Sequence, residues 1–304
     1  MAENFSLFDF HKQFPTEESA VQFFEQLRWH GKITCPHCNS HEIAKNKNQI
    51  PMPYRCKECR KHFSVRVKSM LNESKLPLRT WLLAMYILAN SKKGMSSIQF
   101  AETLGTTQKT AWFLAHRIRN SWNTFPNVKL AGVVEVDETF VGGLEKNKHY
   151  RKRLRQGGGT VGKTPVVGIK SRDGQVRAFV VEEVNMPTLT GIIRDNVEAG
   201  SDVYTDECPS YSGLNEFNRG IVKHRSYEYV RQSVHTNGIE SFWAIIKRGY
   251  KGIYHKWSIK HMQKYIDEYC HRFNMRHVPA WARVSIVAVN GFNKHLSYKE
   301  LING

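Results

Sequence analysis

Two C-x-x-C turns, Cys35-Pro36-His37-Cys38 and Cys56-Lys57-Glu58-Cys59, stand 17 residues apart. No other feature limits the fold of a segment of this chain so tightly. Each turn can offer two thiolates to one side of a tetrahedral Zn²⁺, and a second turn completes the four ligands. A redox pair is the rival reading, but redox motifs normally come singly and near a βαβ unit. His37 and His62 are alternative ligands that four thiols make unnecessary. Four protein ligands leave no open position, so the zinc is expected to be structural, holding a small domain that could not build a core alone. Lys45, Lys47, Arg55, Lys57, Arg60 and Lys61 lie around the turns. They point to DNA contact, with protein contact as the alternative.

The other two cysteines, Cys208 and Cys270, are isolated. A secreted disulfide framework would be shorter and would carry a targeting segment. None is visible in the mixed charged and aromatic start, Met1 to Phe14. The longest apolar run, Trp81 to Ala89, has nine residues, whereas a membrane-spanning helix needs about 20. The reading is a soluble, cytoplasmic chain. Its 304 residues allow two or three domains, and 45 Lys and Arg against 27 Asp and Glu give +18. An excess of that size attracts polyanions, nucleic acid first and an anionic membrane surface second.

Hydrophobic spacing divides the chain. Glu17 to Trp29 and Leu76 to Leu88 read as helices. Within Met95 to Arg119, Ser96 caps one helix, Gly105 breaks it, and Thr106 or Thr107 caps the next. Helix, short Gly-containing turn and helix is the helix-turn-helix pattern. Its second helix offers Gln108, Lys109 and Arg117 to DNA. After a linker at Phe125-Pro126 the character becomes α/β. Val133 to Val136, Val166 to Ile169, Val176 to Val181 and Asp202 to Thr205 read as strands, with a hairpin at Asp173-Gly174. Thr188 to Val197, Gly238 to Arg248 and Ser258 to Phe273 read as helices. Lys146 to Lys163, with Arg151, Arg153, Arg155 and the run Gly157-Gly158-Gly159, has little to bury and is expected to be a mobile basic loop touching nucleic acid.

Three acids carry the chemistry. Asp137 ends the strand in Val133-Val134-Glu135-Val136-Asp137-Glu138-Thr139, and Asp206 ends the one in Asp202-Val203-Tyr204-Thr205-Asp206-Glu207. Carboxylates at strand ends can meet over one sheet edge, where hard cations bind. In Asn237 to Lys247, helical spacing puts Ile239, Phe242, Trp243 and Ile246 on one face and Asn237, Glu240, Ser241, Ala244 and Lys247 on the other. The apolar side packs and the rim presents Glu240. Three carboxylates suit a two-metal site with Mg²⁺ or Mn²⁺. The neighbouring Glu138 and Glu207 are expected to point elsewhere.

The motifs Val136 to Gly143 (VDETFVGG), Tyr204 to Glu207 (YTDE), His235 to Trp243 (HTNGIESFW) and Arg272 to Arg276 (RFNMR), with 33 residues between Asp206 and Glu240, resemble the DDE transposases of bacterial insertion sequences that carry an N-terminal zinc ribbon. The ISXO2-like group is the match, and the Merlin transposases look like distant relatives. The resemblance implies an RNase H-like α/β catalytic domain, a mixed sheet with flanking helices. It also implies metal-binding roles for Asp137, Asp206 and Glu240, and helper roles for Asn237 and Lys247. It implies binding to double-stranded DNA at terminal inverted repeats and at a target, and a homodimer or larger assembly at synapsis. The expected domains are 1–72 (helix plus ribbon), 73–126 (helix-turn-helix), 127–280 (catalytic) and 281–304 (tail). A zinc-ribbon and helix-turn-helix regulator without catalysis, or another RNase H-like nuclease, are the alternatives.

Overall fold

The computed structural model describes residues 5–122, 128–154, 159–222 and 234–303. The expected linker at Phe125-Pro126 lies outside them. The chain forms two compact units, Met1–Thr124 with His277–Gly304, and Phe125–Arg276.

The first unit opens with α1 (Leu7–Gln13) and α2 (Glu17–Trp29), each begun by a capping box, Ser6 with Asp9 and Thr16 with Ser19. A small antiparallel sheet follows, β1 (Ile43–Lys45), β2 (Tyr54–Cys56) and β3 (His62–Phe63). Next come α3 (Leu78–Asn90), α4 (Ser97–Leu104) and α5 (Gln108–Trp122). The expected start of α3 at Leu76 moves to Leu78. Leu76 precedes Pro77, and a residue before proline is pushed out of the helical region. Ser96 caps α4 and Gly105 closes it at φ +62°, a left-handed turn that glycine adopts without strain. Thr107 Oγ1 then accepts from the Thr110 amide at the start of α5.

The C-terminal residues correct the expectation of a tail. They form α9 (Ala280–Asn290) and α10 (Tyr298–Asn303), and α9 packs against α2, α3 and α5. Val284, Val287 and Ala288 join Phe10, Phe24, Trp81, Leu82 and Trp122 in one core. The ribbon residues Cys35, Cys56 and Phe63 belong to that core as well. Ribbon, helical hairpin and C-terminus are therefore one packed body.

The second unit holds five strands, β4 (Val133–Val141), β5 (Thr164–Ser171), β6 (Val176–Val180), β7 (Asp202–Asp206) and β8 (Asn218–Val222). They form one sheet in the order β6-β5-β4-β7-β8, with β4 central. β5 pairs antiparallel with it and β6 antiparallel with β5, the two joined at the expected Asp173-Gly174 turn, where Gly174 takes φ +104°. β7 and β8 are parallel to it on the other side. Between β6 and β7 in sequence, α6 (Met186–Asn196) covers one face, on Val134, Val136, Val167, Ile169 and Val203. α7 (Asn237–Gly249), which runs on into a π-helical turn at Tyr250–Tyr254, and α8 (Ile259–Asn274) cover the other face, on Val141, Val166, Val176 and Ala178. The alternation Val166, Val167, Gly168, Ile169 along β5 is the two-sided burial of an inner strand. β8 was not expected as a strand. Asn218-Arg219-Gly220-Ile221-Val222 is too polar to mark itself as one and is ordered by its parallel pairing with β7.

Candidate functional site: a four-thiol cluster and an acidic cleft

Cys35, Cys38, Cys56 and Cys59 bring their sulfurs within 4.8 Å of one another. Cys35 Sγ lies 3.7 Å from Cys59 Sγ, and Cys38 Sγ lies 3.6 Å from Cys56 Sγ. Those separations far exceed a disulfide of about 2.05 Å and approach the roughly 3.8 Å edge of a tetrahedron with Zn–S bonds of about 2.3 Å. Each turn closes through a residue in left-handed conformation just past its second cysteine, Asn39 at φ +62° and Arg60 at φ +59°. The Asn39 amide donates to the Cys35 carbonyl, and the Cys56 amide to the Lys61 carbonyl. The backbone thus holds four thiols on one point, and the set fits zinc without either histidine.

In the helical hairpin, Gln108 and Lys109 are exposed at the start of α5, as expected. Gln108 Nε2 donates to Ser97 Oγ, and Lys109 Nζ sits 4.8 Å above the Tyr298 ring of α10. Arg117 corrects the expectation of a DNA contact. It is 4% exposed, its guanidinium donates to the Asn72 carbonyl, and it lies 5.2 Å over the Trp81 ring. Burial lowers its pKa to about 10. It faces inward because α5 is covered all round from Leu114 to Arg119, which turns an apparent recognition residue into a core one.

In the second unit, Asp137 is not at the end of its strand. β4 continues to Val141 through antiparallel pairing with β5, and Asp137 stands opposite Gly168. The parallel pairing of β4 with β7 runs only to Glu135 opposite Tyr204. Two further residues on each strand set Asp137 beside Asp206 at the open end of that pair. A cleft of about 370 Å³ opens there, lined by Asp137, Glu138, Thr139, Glu240, Trp243, Ala244 and Lys247. Trp243 Nε1 donates to Asp137 Oδ2 at 2.9 Å, and Thr236 Oγ1 to Glu240 Oε1 at 3.1 Å. Burial, then the charges of Glu138 and Asp206, push the Asp137 carboxyl up to about 7. Like charges crowded in a half-dry site are the surroundings a hard cation relieves.

Asp206 borders the acids without lining the cleft, and its Oδ1 accepts from the Cys208 amide at 2.9 Å. Asn237 is exposed on the first turn of α7 and also stands outside the cleft lining. Among the described residues, the carboxylates do not converge as tightly as the thiols. Glu138 differs from expectation. It does point to the opposite face from Asp137, where Tyr211 donates to it at 2.6 Å, yet it also borders the cleft because β7 no longer covers β4 at that level. Glu207 lies outside the lining.

Sequence reading missed Glu135, Trp243 and Tyr211 as supports of this site. A two-residue period puts Glu135 on the same face of β4 as Asp137, and a charged residue in an otherwise apolar run was the available signal. The basic segment is also more structured than expected. It makes 3₁₀ turns at Glu145–Asn147 and Tyr150–Lys152, and Glu145 takes hydrogen bonds from Lys148 Nζ and the Leu154 amide. Arg151 and Arg153 are exposed, and Arg153 donates to the carbonyls of Lys146 and Lys148. Arg155 lies outside the described residues. No helix among the described residues is long and apolar enough to cross a membrane.

The chain matches the ISXO2-like transposase domain over residues 129–274 and the transposase zinc-ribbon domain over 15–62. It is 27% identical over 250 residues to a Halobacterium salinarum protein described as an uncharacterized protein in transposable element ISH50, covering 78% of this chain and 84% of that one. It is 34% identical over 105 residues to an uncharacterized transposase-like protein of Haemophilus influenzae, covering 33% of this chain and 81% of the relative. No solved structure matches it. The ribbon match contains all four cysteines and the domain match contains all three candidate acids, so the chain belongs to the ISXO2-like insertion-sequence transposases that carry a zinc ribbon ahead of the transposase domain.

Proposed function

We propose that the second unit is an RNase H-like DDE domain that cuts DNA at the terminal inverted repeats of its element and joins the exposed ends to a target. One observation carries the reading. Asp137 on the central strand and Glu240 on α7 line one cleft with Lys247, and Asp206 ends the adjacent parallel strand. A central first strand, an antiparallel β5-β6 hairpin on one side and parallel strands on the other support the fold assignment. Asp137, Asp206 and Glu240 would hold Mg²⁺ or Mn²⁺, which would activate water or a 3′-hydroxyl and stabilise the leaving oxygen. Lys247 meets a phosphate at the cleft rim, and Asn237 orients Glu240 from the preceding turn. Trp243 holds Asp137 toward α7 through its indole N–H.

The first unit supplies the grip. The four thiols hold zinc, and the hairpin of α4 and α5 acts as a helix-turn-helix that presents Gln108 and Lys109. Arg151 adds a phosphate contact from the basic segment. Synapsis of two ends calls for at least a dimer.

The test is cleavage and strand transfer on a duplex carrying the inverted repeat that flanks the gene, with Mg²⁺. Asp137→Asn, Asp206→Asn and Glu240→Gln should each abolish both steps and leave end binding intact, because each keeps shape and removes a ligand charge. Glu207→Gln should keep activity, whereas Glu138→Gln, at the cleft, should lower it. Retained cutting in all three acid variants would sink the metal mechanism. Lost cutting in Glu207→Gln with retained cutting in Asp206→Asn would mean the wrong acid has been chosen.

A further inference from the structure

Glu135 is a carboxylate at 1% exposure, two residues before Asp137 on the same face of β4, and the cleft does not use it. Its Oε2 accepts the Ile239 amide at 2.9 Å. Its Oε1 lies 3.2 Å from Arg172 Nε and 3.5 Å from His235 Nδ1. The Ile239 amide belongs to the first turn of α7, and Thr236, which precedes that helix, makes no side-chain cap. A helix start needs acceptors for its first amides and favours a negative charge. Here a residue 104 positions away supplies both.

Gly238 shows how closely the two elements meet. A Cβ at that position would stand 2.6 Å from Glu135 Oε2 and 2.6 Å from Lys170 Nζ. Only glycine lets the first turn of α7 settle onto the carboxylate. Glu240 follows Ile239 at once in the chain, and Trp243, one turn on, bonds Asp137. Glu135 fixes the start of the helix, and the helix fixes one acid and braces another.

We propose that Glu135 is a positioning residue, which docks the start of α7 on β4 and thereby sets Glu240 in register with Asp137. The proposal rests on the acidic-cleft reading of the function. Glu135 meets neither metal nor DNA, so its loss should change how well the cleft binds metal and leave DNA binding alone. Gln keeps an oxygen for the Ile239 amide and should preserve most of the docking, whereas Ala removes it.

The experiment uses the full chain and Mn²⁺. Mn²⁺ affinity is read by electron paramagnetic resonance, beside the Mn²⁺ concentration for half-maximal cleavage, end-DNA affinity, thermal melting and amide exchange at Ile239. Glu135→Ala and Gly238→Ala should each weaken Mn²⁺ binding about tenfold or more, as supporting partners of metal ligands commonly do. Both should speed exchange at Ile239 and leave DNA affinity unchanged, and Glu135→Gln should stay within about threefold of wild type, about half of a tenfold step in free energy. Combining Glu135→Ala with Gly238→Ala should cost less than the two losses together, since both act on one docking point. A folded Glu135→Ala with unchanged Mn²⁺ affinity overturns the proposal, as do additive losses. If Glu135→Ala fails to fold, Gly238→Ala decides alone, and wild-type Mn²⁺ affinity in it overturns the proposal equally. Asp137→Asn runs alongside. Its retaining cleavage defeats the cleft reading itself, whereas its losing cleavage while the Glu135 and Gly238 variants stay silent defeats only the positioning role.

Discussion

Gly168 carries more of the site than any single acid shows. It stands opposite Asp137 in register, and a Cβ there would come within 2.4 Å of the Trp243 ring. The indole can lie on the sheet and reach Asp137 only because that position is bare. Gly168→Ala should therefore cost about 1–3 kcal/mol in denaturant unfolding by overpacking and should lower cleavage by displacing Trp243. Normal cleavage at wild-type stability would show that the indole bond is dispensable. Arg117 teaches the reverse lesson. Its guanidinium is spent on the Asn72 carbonyl and the Trp81 face, so Arg117→Ala should destabilise the first unit by about 2–3 kcal/mol. End-DNA affinity, measured well below the melting temperature, should change little. A large affinity loss in a chain of unchanged stability would return Arg117 to the DNA surface.

At the level of elements, the ribbon depends on its four thiols and the core on its last helices. One zinc per chain is expected by metal analysis, and Cys56→Ser should lose it. Because Cys35 and Cys56 are buried in the core shared with Phe24 and Phe63, zinc removal by a chelator should also lower the melting temperature of the first unit. A zinc-free protein that melts at the same temperature would contradict the assignment. Truncation after Arg276 removes α9 and with it Val284, Val287 and Ala288 from a core of aromatic and aliphatic side chains. The first unit should then be insoluble or molten, with near-ultraviolet circular dichroism lost. A well-ordered truncated protein would mean α9 is an appendage after all.

Over the whole molecule the +18 charge bears on the proposed DNA binding. Affinity should fall steeply as salt rises, since each neutralised phosphate releases counterions. Neutralising Arg151 and Lys109 together should reduce the slope of log affinity against log salt by about two, one for each phosphate no longer neutralised. An unchanged slope would mean neither side chain reaches the backbone in that complex.

The sequence by itself determined the family and the four-thiol cluster. The double C-x-x-C spacing dictates a tetrahedral thiol site because the ligands lie within short turns, where local geometry decides. The acids Asp137, Asp206 and Glu240 could be proposed from a similar kind of signal, although the structure places Asp137 inside its strand and Asp206 outside the cleft lining. Strand periodicity and helical spacing place such side chains without long-range information. The hairpin at Asp173-Gly174 and the caps at Ser96 and Gly105 are equally local. Only tertiary structure decided what depends on the meeting of distant segments. Burial turned Arg117 inward, parallel pairing with β7 made β8 a strand, and the core drew residues 280–290 into the first unit. Glu135 read as one more residue of a strand until the first turn of α7 was found resting on it. A carboxylate's worth is set by which amides and cations fold back to meet it, and no window of neighbouring residues contains that information.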